Sequence, residues 1–238
     1  VHKEIAFEDQ ICADLLTSGW LYALGDAQKY DRARAIFAED CVAWVQEAFP
    51  TAWQSLEKNH GAKAGNVLVD RIRQQLDQQG ALDVLRNGIE MLGVKGRIRF
   101  AEFKPAFNIN AEIVARYKAN RLRVVRQVRY SLANENCIDL VLFLNGIPIA
   151  TVELKTDFTQ SVQDAIDQYR YDRHPKPKGS APEPLLSFPG GALVHFAVSN
   201  SEVHMTTRLE GRATTFLPFN KGDKGGKGNP IDPVSGHR

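Results

Sequence analysis

The stretch Cys137–Thr156, CIDLVLFLNGIPIATVELKT, reads as two β-strands joined at Asn145-Gly146. That pair tolerates the positive φ of a tight hairpin. Its apolar residues run almost without a break, the pattern of strands covered on both faces. Three ionisable residues interrupt it: Asp139, Glu153 and Lys155. A charge in a covered sheet has to be paired, metal-bound or neutralised. Two carboxylates converging with an ammonium group form a set that can hold a divalent cation and a phosphate.

Side chains alternate along a strand, so Glu153 and Lys155 share a face and Leu154 points back. A connection of Asn145 and Gly146 alone would pair Leu144 with Ile147 and Asp139 with Val152, and Asp139 would face away from Glu153. A connection of Asn145 to Ile147, with Gly146 left-handed in a bulge, pairs Leu144 with Pro148 and sets Asp139 opposite Glu153. If the three residues form a site, the hairpin needs a bulge or an odd-length connection near Asn145–Pro148.

Asp139 followed by Glu153-Leu154-Lys155 resembles the D…ExK signature of the PD-(D/E)xK nuclease superfamily. The longer text NENCIDLVLFLNGIPIATVELK, with AIDQYRYDRHP after it, resembles the N-terminal nuclease domain of the R subunit of type I restriction enzymes, from about Phe7 onward. Ile138 stands where the superfamily name has proline, a position that contributes no ligand. The resemblance implies an α/β (α+β) restriction-endonuclease-like core, a central mixed β-sheet flanked by helices. It implies Mg2+ held by Asp139, Glu153 and the Leu154 carbonyl, with Lys155 positioning the attacking water and offsetting phosphate charge. Glu8, on the first helix, and Gln168 complete the implied site. In that family the helix after the hairpin carries Q-x-x-x-Y; here Gln168 matches, the fourth residue on is Asp172, and Tyr171 falls one place early. Double-stranded DNA is the implied substrate, with methyltransferase and specificity subunits as partners. ATP is implied only through a translocating motor region beyond this chain.

The 238 residues are 43% hydrophobic and 24% charged, with a net charge of +2. That is ordinary globular composition, long enough for a sizeable core. Cys12, Cys41 and Cys137 are odd in number and lack CxxC spacing, so neither a disulfide framework nor a zinc site is expected. A cytoplasmic setting fits. No apolar run approaches the roughly 18–20 residues of a membrane span, and no signal-peptide order opens the chain. The absent initiator Met and the basic end suggest part of a longer protein.

Residues 4–18 have Phe7, Ile11 and Leu15 on one helical face with Gly19 as C-cap. Residues 31–80 are helical throughout, with a capping box expected at Thr51–Gln54; they read as a helical insertion in a nuclease domain spanning 1–220. Leu82, Leu85, Ile89 and Leu92 have helical spacing, GRIRFAEFKPAFN alternates like a strand, and Asn110 caps a helix to about Ala119. Leu122, Val124, Val128 and Tyr130 alternate with Arg123, Gln127 and Arg129, as in a strand. Between Arg116 and Arg129 lie five Arg, one Lys and no acid. This is either a charged strand edge that resists aggregation or a phosphate-tracking surface; Arg121, Arg123, Arg126, Arg129 and, further on, Arg170 are the DNA-binding candidates. Ser161–Asp164 resembles a capping box for the next helix. His195 and His204 fall in a hairpin as structural residues. Residues 221–238 read as a linker; their glycines lack phosphate-loop spacing.

Two other functions compete. One is a catalytically inactive DNA-binding or assembly module on the same fold. The other is a stand-alone repair or resolvase-type nuclease of the superfamily. The intact acid–acid–lysine set argues against the first, because a purely structural core gains from apolar replacements. The linker-like end argues against the second.

Overall fold

The structure, a computed structural model, describes residues 2–157, 160–224 and 229–234. The linker segment of 221–238 therefore lies partly outside the described residues. Seven α-helices occur among the described residues: α1 (His2–Thr17), α2 (Ala38–Ala48), α3 (Pro50–His60), α4 (Ala64–Gln79), α5 (Ala81–Asn87), α6 (Ala111–Ala119) and α7 (Val162–Asp167). A π-helical turn, Gln168–Asp172, prolongs α7. Two short strands, β1 (Ile89–Glu90) and β2 (Arg97–Ile98), pair with each other. The main sheet has six strands in the order β3 (Leu122–Arg129), β4 (Cys137–Leu144), β5 (Ile147–Leu154), β6 (Val194–Val198), β7 (Val203–Thr206) and β8 (Leu217–Pro218). Every neighbouring pair is antiparallel except β5 and β6. A parallel pair needs a crossover, and α7 with its π turn lies in that connection. This is the mixed α+β sheet expected from the sequence. No helix among the described residues is long and apolar enough to cross a membrane.

The sheet is covered on both faces, which explains the unbroken apolar text of the hairpin. Val124, Leu140, Val152 and Leu154 pack with Cys12, Phe7, Ile11 and Leu15 of α1. Val125, Val141 and Phe143 pack on the other face with Val162, Ala165, Ile166 and Tyr169 from the α7 segment. The helices α2 to α5 form their own apolar cluster, into which Ile147 and Ile149 of the hairpin reach. Trp44 is fully buried there and donates its indole N–H to Arg99 O at 2.7 Å.

The hairpin tip is clamped onto this helical layer. Phe37 N donates to Gly146 O at 2.8 Å, and a Cβ at Gly146 (φ +83) would overlap Cys41 Sγ and Phe37 O. Only glycine fits this approach. The buried Asn145 side chain accepts from Arg121 N and donates to Phe100 O and Asn120 Oδ1. Each hydrogen bond compensates the burial of a polar group.

Several local expectations change. The capping box at Thr51–Gln54 does not form: Pro50 takes the first helical position of α3 and Phe49 precedes it without a side-chain cap. Proline is pre-organised for that position. The alternating text 96–108 yields only the two residues of β2, and the helix read through Leu92 stops at Asn87, where Gly88 (φ +72) turns the chain. Two boundaries hold. Asn110 caps α6 by accepting from Glu112 N and Ile113 N, and Asp164 Oδ2 accepts from Ser161 N at 2.7 Å before α7. Donation from the Ser161 backbone N–H and then from its hydroxyl also holds the Asp164 carboxyl below its usual range.

Candidate active site

The parity requirement is met by a bulge, in a different place from the three-residue connection. Leu144 pairs with Ile147 across a two-residue loop in which Asn145 and Gly146 have φ of 50° and 83°, the positive pair a type I′ turn demands. Phe143 pairs with Pro148, but Leu142 pairs with Ala150, so Ile149 is the extra residue. The register then continues through Leu140 and Val152, and one step further brings Asp139 beside Glu153.

There Asp139 Oδ2 accepts from Leu154 N at 2.8 Å, and Oδ1 lies 3.4 Å from Gln127 Nε2. Glu153 is 0% exposed. Its Oε1 accepts from Arg173 Nε at 2.6 Å, whereas Oε2 is buried without a donor. Burial, then the nearby Asp139 charge, pushes the Glu153 carboxyl up from 4.5 to about 8, against the opposing pull of Arg173. A buried carboxylate beside a second carboxylate does not ionise cheaply without a further cation.

A cavity of about 420 Å3 opens over Asp139, walled by Glu4, Ile5, Glu8, Arg126, Gln127 and Leu154. The structure thus brings Glu8 of α1 to the same cavity as Asp139. Glu8 is buried, accepts from Arg126 at 2.5 Å and from Gln127 at 2.5 Å, and is thereby tied to Asp139 through the Gln127 amide. Lys155 follows β5, its backbone N donating to Val198 O. Its Nζ lies 3.5 Å from Glu4 Oε1 at the cavity wall, an ion contact rather than a hydrogen bond. Gln168 begins the π turn with a buried Oε1 that has no donor.

The arginine surface read from the sequence is largely a set of internal ion pairs. Arg123 reaches Asp26 and Asp40 at 2.6 Å each and stacks over Phe37, its centre 4.3 Å from the ring centroid. Arg121 also holds Asp40, and Arg126 is paired with Glu8 and Asp9. Asp26 and Asp40 are buried, and a buried carboxylate demands a cation. Those acids lie some 80 to 100 residues earlier in the chain, as separations of 81, 83 and 97 record. Arg129 is 66% exposed and meets Glu135; Arg170 bonds Thr214 O and lies 3.7 Å from Asp167. Tyr171 points outward, 57% exposed, under Arg212, and Asp172 is exposed as well. Neither reaches Glu153.

Three neighbours of the site were not singled out from the sequence. Glu4 sits one helical turn before Glu8, so the i,i+4 spacing could have found it. Gln127 carries φ 50° inside β3; this twist sends both Arg126 and Gln127 to Glu8. Side-chain alternation gave no sign of it. Arg173 is delivered by the π turn, which the sequence pattern does not announce.

The donor set fits a hard divalent cation in its chemistry: Asp139 on the cavity wall with Leu154, and beside it Glu153 with an orphaned buried oxygen. Among the described residues no group of three or more His, Cys, Asp or Glu side chains is placed to hold a metal. Any cation here would therefore lean on backbone oxygen and water as well, as Mg2+ commonly does. The His195 imidazole takes no part: it is buried against Thr151 at 2.7 Å, and burial alone lowers it to about 3, so it stays neutral.

Comparison with curated proteins gives no match. Residues 4–214 match the family described as type I restriction enzyme R protein N terminus. That match covers most of the 238 residues and takes in both the bulged hairpin and the π turn, so the chain belongs to the family of type I restriction enzyme R protein N-terminal domains.

Proposed function

We propose that this domain cleaves double-stranded DNA in a Mg2+-dependent reaction, as the nuclease part of a type I R subunit. The observation that carries the reading is the meeting of Asp139 and Glu153 in the register that the β4–β5 bulge sets, with Glu153 Oε2 buried and lacking a donor. Asp139, Glu153 and the Leu154 carbonyl would hold the cation, which supplies Lewis-acid polarisation of the scissile phosphate and a more acidic attacking water. The chain's own groups do the rest. Leu154 N fixes one oxygen of Asp139, and Gln127 links its other oxygen to Glu8. Lys155, whose Nζ lies 3.5 Å from the cavity-lining Glu4, would place a positive charge where phosphate charge grows in the transition state. Gln168 offers an unpartnered amide oxygen from the π turn. Phosphate contact along the duplex falls to the exposed Arg129 rather than to the internally paired Arg121, Arg123 and Arg126.

In this reading the methyltransferase and specificity subunits choose the DNA, and an ATP-driven motor region delivers it. The inactive-module reading has one observation in its favour, the Arg173 cation already seated on Glu153. The deciding experiment assembles the complex with Asp139→Ala and Glu153→Ala R subunits. The nuclease reading requires both to lose Mg2+-dependent cleavage while remaining folded. Wild-type cleavage by both would establish the inactive module.

A further inference from the structure

We propose that Arg173 is a positioning residue for the cation site: it fixes Glu153 so that Oε2 alone is presented to the metal. The inference rests on the nuclease reading above and names a residue outside the acid–acid–lysine set.

The geometry begins at the π turn. Arg173 N donates to Gln168 O at 3.0 Å, a bond five residues back instead of four. Such turns slip the helix by one residue and recur at functional sites. The slip leaves Tyr171 and Asp172 facing outward and lays Arg173 against β5. Its side chain is 11% exposed and Glu153's is 0% exposed, so both ends of the contact are shielded from water. Arg173 Nε is the donor to Glu153 Oε1, at 2.6 Å, and nothing donates to Oε2.

A buried carboxylate with a single fixed oxygen has little freedom about its last torsion. Without Arg173, neither oxygen of the buried Glu153 would have a donor, and the side chain would be free to turn beside Asp139. Binding a metal would then have to restore the arrangement. With Arg173 in place, Glu153 Oε1 is already fixed and Oε2 is left open to a cation. Partners that hold a ligand residue in this way commonly alter metal affinity by about 10–100-fold when removed.

The test measures Mn2+ binding directly, by titration calorimetry on the whole R protein, with melting temperature as a check on folding. Glu153→Ala defines the site, since the ion it loses is the ion in question. Arg173→Met keeps bulk but removes the donor and should weaken that ion about 10–100-fold. Arg173→Lys keeps charge without the planar fork and should recover part of the loss. If Arg173→Met fails to fold, Arg173→Gln replaces it and must still weaken the ion by at least about tenfold. Affinity equal to or tighter than wild type in the folded Met or Gln variant, with the ion lost in Glu153→Ala, overturns the positioning role and leaves the nuclease reading standing. Wild-type Mn2+ affinity in Glu153→Ala would instead overturn the cation site itself, and the role of Arg173 with it.

Discussion

Replacing Glu153 with glutamine keeps the shape of a buried side chain and removes its charge, which makes the cost of that charge measurable. The amide oxygen can still accept from Arg173, and the new amide N–H can donate to Asp139, whose present neighbour Oε2 has no donor. In the folded protein the carboxyl keeps its proton until about pH 8, whereas its ordinary value is 4.5. Between those values the native state binds more protons than the unfolded chain, so native stability falls as pH rises and the loss is complete above the upper value. At about 1.36 kcal/mol per pH unit, the ceiling on that loss is roughly 5 kcal/mol. Glu153→Gln escapes it. Urea unfolding of the 238-residue chain in chelator should therefore show the variant several kcal/mol more stable near pH 8.5 and within about 1 kcal/mol of wild type near pH 5. A variant that is less stable at the higher pH, or a difference that does not change with pH, would refute the claim that Glu153 is held in a dry, acid-crowded place.

Two further tests address the scaffold. Arg123→Met strips the cation shared by buried Asp26 and Asp40. Loss of one partner from a buried pair costs about 3–5 kcal/mol, and a denaturation midpoint shifted by less than 1 kcal/mol in equivalent stability would return Arg123 to the role of a DNA-facing residue. Gly146→Ala adds a methyl against Cys41 Sγ and Phe37 O in a left-handed backbone. It should destabilise by about 2–5 kcal/mol from overpacking and strain together, and an unchanged melting curve would mean the hairpin tip is not seated on α2.

The central hairpin was the most legible part of the chain because its text obeys local rules. Asn145-Gly146 announced the turn, the unbroken apolar run announced a sheet covered twice, and the need for Asp139 to meet Glu153 announced an irregularity. Its place at Ile149 was not legible, since a bulge of one residue in either the loop or the strand satisfies the same parity. Asn110 and Ser161 were readable as caps for the same reason: the signal is a side chain three residues or fewer from its target. The internal pairing of the arginine cluster was not legible because its partners, Asp26 and Asp40, come from a distant segment, and spacing within β3 carries no record of them. Gln127 and Arg173 were hidden for another reason. Each depends on a departure from regular geometry, a left-handed residue in a strand and a π turn after a helix, while sequence periodicity describes only the regular case.

The central claim, that the bulged hairpin is a nuclease site separate from any motor, is tested most directly by Lys155→Ala in the R subunit of the assembled complex, with DNA cleavage and DNA-stimulated ATPase measured side by side. Lys155 contacts a partly exposed Glu4 across 3.5 Å, so its removal should leave the fold in place. Losing one transition-state charge in a shielded site is worth about 2.7–4 kcal/mol, a roughly hundred- to thousand-fold slower cleavage. The account predicts that loss with ATP hydrolysis nearly unchanged. Equal loss of both activities, or cleavage at the wild-type rate, would contradict it.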